Sequence, residues 1–154
     1  MSKTIIFLDI DGVLVSFGGK YVQTRSFEPK CVAILKHILK LFKEPRIVFS
    51  TTWRLDPYKQ NLYEQFIEHG LPYEICIGAT PDLRYSENNN IIQLRGKEIL
   101  TWLEMHPAVK DWIVIDDDIH GIVPLLPAKR CITPDPSKGL QDEHVDLACL
   151  IKEN

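Results

Sequence analysis

Short apolar runs and longer amphipathic stretches take turns along the chain, and this alternation predicts strands separated by helices. The runs are rich in β-branched and aromatic residues, and three of them end abruptly in polar side chains, as buried parallel strands do. The predicted strands are residues 4–9, 46–50, 73–77, 111–115 and 130–133.

The stretches between these runs carry apolar residues at the helical period. The predicted helices cover residues 29–42, 58–69, 96–106 and about 140–152. A polar, asparagine-rich stretch at residues 80–90 predicts a surface loop. Strands that alternate with helices imply right-handed βαβ units. The pattern therefore predicts an α/β fold: a doubly wound, Rossmann-like parallel sheet of about five strands with helices on both faces.

The length and composition of the chain indicate which broad class of protein it belongs to. The chain has 154 residues, 45% of them hydrophobic and 25% charged, which predicts one globular domain over residues 1–154. No apolar run approaches the roughly 18 residues that span a bilayer, and Asp9 interrupts the first run. We therefore expect a cytoplasmic protein with no membrane partner. The four cysteines lack C-x-x-C spacing and are expected to be buried and reduced.

Candidate chemistry lies where the predicted strands end, because the functional crevice of a doubly wound sheet is outside the carboxyl ends of its strands. The polar side chains at three of these ends are Asp9 and Asp11, Ser50 and Thr51, and Asp116 and Asp117. Two like charges about 4 Å apart cost roughly 4 kcal/mol at an effective dielectric of 20. Clustered carboxylates therefore require a cation or raised pKa values. Hard oxygen ligands favour Mg²⁺.

Residues 5–15 (IIFLDIDGVLV) resemble the first motif of the haloacid dehalogenase (HAD) superfamily of phosphotransferases. In the same order, Ser50 resembles the second motif, Arg95 or Lys97 the third, and Asp116-Asp117 the fourth. Three further phrases are similar to a small branch of that superfamily without a cap domain, which includes domains associated with nucleic-acid repair. These phrases are residues 49–54 (FSTTWR), Arg95-Gly96 and residues 135–140 (DPSKGL).

The first motif supplies the expected reacting groups. Asp9 is the better candidate nucleophile because it ends a strand and has little freedom, and the resemblance implies that it forms an aspartyl phosphate. Asp11 is expected to face the same crevice and to act as general acid and then as base. Gly12 would let the backbone turn tightly beside the phosphate. Ser50 would donate a hydrogen bond to a phosphoryl oxygen, with Thr51 as the alternative.

The remaining candidates bind the metal or the substrate. Lys97, or else Arg95, would offset the charge of the nucleophile and the phosphate, and the resemblance favours a lysine. Mg²⁺ is expected to be held by Asp116 and Asp117 with Asp9 and the backbone carbonyl of Asp11. Trp53 and Arg54 would stack on and clamp the leaving group; the alternative is a core tryptophan and a structural arginine.

The spacing between motifs leaves no room for a cap. Only residues 12–28 separate the first motif from the first predicted helix, enough for a hairpin-like flap around Gly18 and Gly19. The resemblance implies that such open sites accept phosphate on large partners, such as a protein or a nucleic-acid end, or are closed by oligomerisation. Without the four proposed site carboxylates the net charge of −3 becomes +1, so the acidic total does not exclude a polyanion.

The leading hypothesis is therefore a Mg²⁺-dependent phosphomonoester hydrolase, a phosphatase acting through a phosphoaspartate on Asp9. The alternative is a non-catalytic protein of the same fold class, either a phospho-accepting domain of receiver type or a scaffold. A receiver would place its acidic pair at the first strand and its phospho-acceptor near the middle. Here Ser50 is in the middle and Asp116-Asp117 comes late.

Overall fold

Five parallel strands form one sheet in the order β3-β2-β1-β4-β5. The computed structural model describes residues 3–86 and 91–153. The strands are β1 (Thr4–Leu8), β2 (Pro45–Phe49), β3 (Cys76–Ala79), β4 (Asp111–Ile115) and β5 (Cys131–Ile132). The chain passes from β1 to β2 and β3 on one side, and then crosses to β4 and β5 on the other. The predicted α/β, doubly wound sheet is confirmed.

Helices cover both faces of this sheet. They are α1 (Tyr21–Thr24), α2 (Pro29–Leu41), α3 (Lys59–Glu68), α4 (Leu94–Met105) and α5 (Asp142–Glu153). Alternate residues of a strand point to opposite faces, and β1 divides in this way. Ile6 and Leu8 are in the core cluster that includes buried residues of α2, α3 and α5. Ile5 and Phe7 are in the cluster that includes α4. None of the described helices is long and apolar enough to cross a membrane.

Two predicted segments differ most from the structure. The third strand begins at Cys76, because Tyr73–Ile75 form a 3₁₀ turn instead; β3 is an edge strand, and Ile77 is half exposed. Residues 12–28 form successive turns and the one-turn helix α1 rather than a hairpin. One of their amides donates to a distant segment, from Phe17 N to Pro136 O. Within the segment, Ser16 donates through both its amide and its hydroxyl to Glu28, next to α2. The segment is therefore tied to the body of the protein.

Candidate active site

The register of the sheet aligns the residues that follow the strands. Leu8 of β1 pairs with Phe49 of β2 and with Ile115 of β4, so the next residues, Asp9, Ser50 and Asp116, lie side by side at the carboxyl edge. Their amides continue the ladder: Asp9 N donates to Ile115 O over 3.0 Å and Ser50 N to Leu8 O over 2.9 Å. The chain leaves β1 toward β2, with β4 on the opposite side, so this row crosses the topological switch point of the sheet.

Three carboxylates meet at this point. One oxygen each from Asp9, Asp116 and Asp117 lies within 4.8 Å of the others, and the first two residues are 5% and 1% exposed. Burial, followed by the charge of Asp116, raises the pKa of Asp9 well above its usual range. Burial also raises the pKa of Asp116 to about 7. Clustered, largely buried carboxylates that repel one another form a donor set suited to a divalent cation.

Arg95, in the first turn of α4, places its guanidinium between two of these carboxylates. Its Nη1 lies 3.2 Å from Asp9 Oδ1 and 3.4 Å from Asp116 Oδ2, and it donates a hydrogen bond to the carbonyl oxygen of Ser50. Burial lowers the pKa of Arg95, but the charges of Asp9 and Asp116 outweigh burial and raise it overall. Lys97 is half-buried, and no described carboxylate lies within ion-pair distance of it. The geometry therefore favours Arg95 as the cation of the site.

Ser50 offers an unused hydroxyl beside Asp9. Among the residues that the structure describes, its Oγ is the buried side-chain polar atom without a hydrogen-bond partner. Thr51, the alternative, is equally buried, but its Oγ1 already accepts a hydrogen bond from Trp53 N at 3.2 Å. A buried hydroxyl without a partner costs free energy unless a ligand satisfies it. Ser50 is thus the better placed of the two to bind a ligand.

Trp53 contacts Asp11. The indole Nε1 donates to Asp11 Oδ1 over 3.1 Å, and the ring, 1% exposed, packs against Phe27 with centroids 5.7 Å apart. A tryptophan buried to this extent has no free face for a substrate to stack on. The position of Trp53 therefore agrees with the alternative interpretation, a core tryptophan. The hydrogen bond from its indole orients the carboxylate of Asp11.

The guanidinium of Arg54 is also bound by groups of the protein itself. It donates to the backbone carbonyls of Thr51, Thr80 and Pro81 and forms a 3.2 Å ion pair with Glu98, which is 3% exposed. These contacts fix the loop after β2 to the loop after β3 and to α4. Sequence reasoning missed Glu98; its signal is an acidic residue one helical turn after Arg95, on the apolar face.

Gly12 has a conformation and a neighbour that require glycine. Its φ is +80°, and a Cβ there would lie 2.4 Å from Asp117 Oδ2. The absence of a side chain lets the loop after β1 approach the loop after β4. The first and fourth predicted motifs therefore meet through this glycine, and Asp117 comes within reach of Asp9.

Four features lie together along the switch point of this parallel sheet: an aspartate at the end of β1, a buried hydroxyl after β2, an arginine at the start of α4 and an acidic pair after β4. Together they define a HAD-type domain and support a HAD-type hydrolase. The chain belongs to the family described as the HAD domain in Swiss Army Knife RNA repair proteins, whose model matches residues 5–145. Neither the comparison with curated proteins nor that with solved structures found a match.

Proposed function

We propose that the protein is a Mg²⁺-dependent phosphatase that hydrolyses a phosphomonoester through an aspartyl phosphate on Asp9. One observation carries this proposal: Asp9 lies in the same row as the unpartnered hydroxyl of Ser50 and the carboxylate of Asp116, with Arg95 3.2 Å away. A nucleophile, a hydrogen-bond donor for a phosphoryl oxygen, and positive charge are the groups that phosphoryl transfer requires.

The carboxylates of the site fit Mg²⁺. Asp9, Asp116 and Asp117 supply hard oxygen ligands that lie close together, and we propose the backbone carbonyl of Asp11 as a further ligand. Arg95 alone gives one positive charge against three carboxylates. Bound Mg²⁺ would supply the missing positive charge and offset the charge of the phosphoryl oxygens.

In the first step, a carboxylate oxygen of Asp9 attacks phosphorus in line with the leaving oxygen. The bond between phosphorus and that oxygen breaks, and Asp11 gives its proton to the leaving group. Trp53 holds Oδ1 of Asp11, so the proton is carried on the other oxygen, Oδ2. Ser50 and Arg95 stabilise the negative charge on the transferred group through hydrogen bonding and charge.

In the second step, Asp11 takes a proton from a water molecule. The resulting hydroxide attacks the phosphorus of the phosphoaspartate, the bond from phosphorus to the Asp9 oxygen breaks, and inorganic phosphate leaves. The Asp9 carboxylate is regenerated. Asp11 ends the cycle protonated, ready to serve again as the acid.

We infer that the substrate carries its phosphate at the end of a nucleic-acid strand. Between β1 and α2 the described chain forms only turns and the one-turn helix α1, so no inserted domain from this segment covers the carboxyl edge of the sheet. An open site accommodates a large leaving group. The family's description as a domain of RNA repair proteins favours an RNA end over a phosphoprotein.

The proposal is tested by phosphate release from p-nitrophenyl phosphate, from RNA oligonucleotides with a 3′- or 5′-terminal phosphate, and from phosphopeptides. We expect turnover with Mg²⁺, none with EDTA, and a loss of at least about 10³-fold in Asp9→Asn. Asp146→Asn, which makes the same chemical change on the exposed face of α5, should keep wild-type activity. Activity that survives Asp9→Asn would refute the mechanism, and a preference for phosphopeptides would refute the substrate class.

The non-catalytic alternative gives a different result in the same samples. A scaffold would show no release from any phosphomonoester, with or without Mg²⁺. A phospho-accepting receiver would incorporate the phosphoryl group of a small donor once and release it slowly. Repeated turnover with Mg²⁺ excludes both.

A further inference from the structure

A second candidate site lies at the opposite end of the sheet from Asp9. A cavity of about 440 Å³ opens where β1 and β4 begin, and is lined by their first residues, Thr4 and Asp111. Strands of five residues separate it by about 16 Å from the carboxyl edge. Its volume falls within the range of roughly 300–1,000 Å³ that is usual for small-molecule sites.

The wall of this cavity is basic. Four cations line it: Lys43, Lys129, Arg130 and Lys152. Asp111 is the one acid among the described residues that line it, and no described carboxylate lies within ion-pair distance of any of the four cations. In a protein of net charge −3, this is a local concentration of positive charge that has no ion-pair partner among the described residues, and it attracts an anion.

The ends of neighbouring helices explain only part of this charge. Lys43 follows the end of α2, and Lys152 is in the last turn of α5, where lysine favourably meets the helix dipole. Lys129 and Arg130 are in the 3₁₀ turn that leads into β5, with no such helix end. Their presence in the same wall needs another reason.

Aromatic and apolar groups complete the cavity. Trp112 lines it, with the Arg130 guanidinium 4.7 Å from the ring centroid, and Arg130 Nη1 donates to Trp112 O over 3.0 Å. Phe42 and Ile113 supply apolar surface. An aromatic ring with a guanidinium over its face, beside lysines, is the combination that binds nucleobases together with their phosphates. A lipid surface or a phosphopeptide would not require the ring and the guanidinium together.

We propose that this cavity, which we call the basic cavity, binds a nucleoside phosphate, either a free nucleotide or one residue of a single strand. The base stacks on the Trp112–Arg130 pair, and the lysines contact the phosphate. The site is distinct from the proposed phosphatase site and does not depend on it. For a single strand, it would hold the polynucleotide away from the phosphate that is removed.

The test measures anisotropy of a fluorescein-labelled single-stranded RNA with hydroxyl groups at both ends, in EDTA. Such a strand offers the proposed phosphatase site no terminal phosphate. We expect Lys129→Glu/Lys152→Glu to weaken binding at least about tenfold and to flatten its salt dependence. The matched control, Lys30→Glu/Lys59→Glu, changes two exposed lysines that do not line the basic cavity and should bind as the wild type does.

Competition and fluorescence identify the ligand. Displacement of the RNA by ATP, or binding of ATP alone, supports the free nucleotide as the source, whereas RNA binding that ATP does not displace supports the strand. Trp112→Phe should abolish the quenching of tryptophan fluorescence on binding while leaving the fold intact by circular dichroism. Equal binding by the Lys129→Glu/Lys152→Glu variant, or polyphosphate binding as tightly as RNA with no quenching, would overturn the proposal.

Discussion

At the scale of single residues, the repulsion between the carboxylates of Asp9 and Asp116 is only partly offset by their neighbours. Both are buried and repel each other, and burial raises the pKa of each. The Arg95 guanidinium lies within 3.4 Å of both carboxylates. One positive charge does not balance these two and Asp117 as well. The divalent cation proposed above would therefore complement the arginine.

Removing the Arg95 side chain should damage catalysis more than any change at Lys97. We expect Arg95→Ala to lower kcat/KM by about 100-fold or more, because charge stabilisation and the anchor on the Ser50 carbonyl are both lost. Arg95→Lys should recover part of the loss. Lys97→Ala should stay within about threefold of wild type. Steady-state kinetics with p-nitrophenyl phosphate compare the three variants. A greater loss of kcat/KM in Lys97→Ala than in Arg95→Ala would contradict the assignment of Arg95 as the cation of the site.

Trp53 should act on catalysis through Asp11. Trp53→Phe keeps an aromatic ring against Phe27 but removes the donor to Asp11 Oδ1. We expect kcat to fall about tenfold with substrates that have poor leaving groups, and less with p-nitrophenyl phosphate, whose leaving oxygen needs no proton. We also expect a stability loss of about 1–2 kcal/mol. An equal fall in kcat with both substrates would show that the residue has only a structural role.

Predictability from sequence differs between these residues. Asp9 and Asp116 were predicted to meet because residues after parallel strands share an edge, and the structure brings them together. The choice between Arg95 and Lys97 was not possible: the two are about 200° apart around a helix, and the helix was predicted to begin two residues later than it does. The contact of Trp53 with Asp11 joins residues 42 positions apart and depends on tertiary packing that no local pattern specifies.

At the scale of elements, the start of α4 determines where Arg95 lies. Gly96 packs against the 3₁₀ turn after β4: a Cβ there would lie 3.1 Å from the carbonyl oxygens of Gly121 and Ile122. Because both contacts are with backbone, an added side chain would push the start of α4 and this turn apart by a few tenths of an ångström. In the Arg-Gly dipeptide, Arg95 thus supplies the positive charge, and Gly96 allows the close packing of α4 that positions Arg95.

Gly96→Ala should lower activity more than stability. The clash costs about 1–3 kcal/mol, and the better helix propensity of alanine returns about 1 kcal/mol, so we expect a net loss of no more than about 2 kcal/mol. Displacement of Arg95 should lower kcat/KM about tenfold or more. Urea unfolding and kinetics measure the two effects. Gly78→Ala, where a Cβ meets nothing within 4 Å, is the control, and wild-type kinetics in Gly96→Ala would contradict this role.

Elements were predictable where their burial is strong. The central strands β1, β2 and β4 are apolar on both faces, and the structure has them within one residue of their predicted bounds. Three of the four residues of the edge strand β3 are exposed. Its apolar pattern is therefore weaker, and it predicted a start three residues too early. The turns of residues 12–28 are held by backbone bonds to distant segments, such as Phe17 N to Pro136 O, which local sequence does not report.

At the scale of the whole molecule, the two ends of the sheet differ in charge. The carboxyl edge gathers Asp9, Asp116 and Asp117, whereas the amino edge carries the four cations of the basic cavity. The small net charge of −3 therefore conceals two regions of opposite sign. A metal would bind at the acidic end and a polyanion at the basic end.

The acidic end should make stability depend jointly on pH and Mg²⁺. Folding raises the pKa of Asp116 from 3.8 to about 7, so the metal-free folded state binds more protons than the unfolded state between these values, and the site loses stability as pH rises through that window. Mg²⁺ bound as proposed would take the place of these protons. The rise in Tm on adding Mg²⁺ should be larger at pH 8 than at pH 5.5. A rise in Tm that does not depend on pH would contradict competition between Mg²⁺ and protons at this site.

The central claim, that Asp9 attacks phosphorus, is tested most directly by trapping the covalent intermediate. Borohydride reduces an acyl phosphate to an alcohol, so treatment during turnover should convert Asp9 to homoserine, detectable by mass spectrometry of the peptide that contains it. We predict this product in the wild-type enzyme with substrate and Mg²⁺, and its absence from Asp9→Asn. Sustained turnover with an unmodified Asp9, or reduction at another carboxylate, would contradict the account.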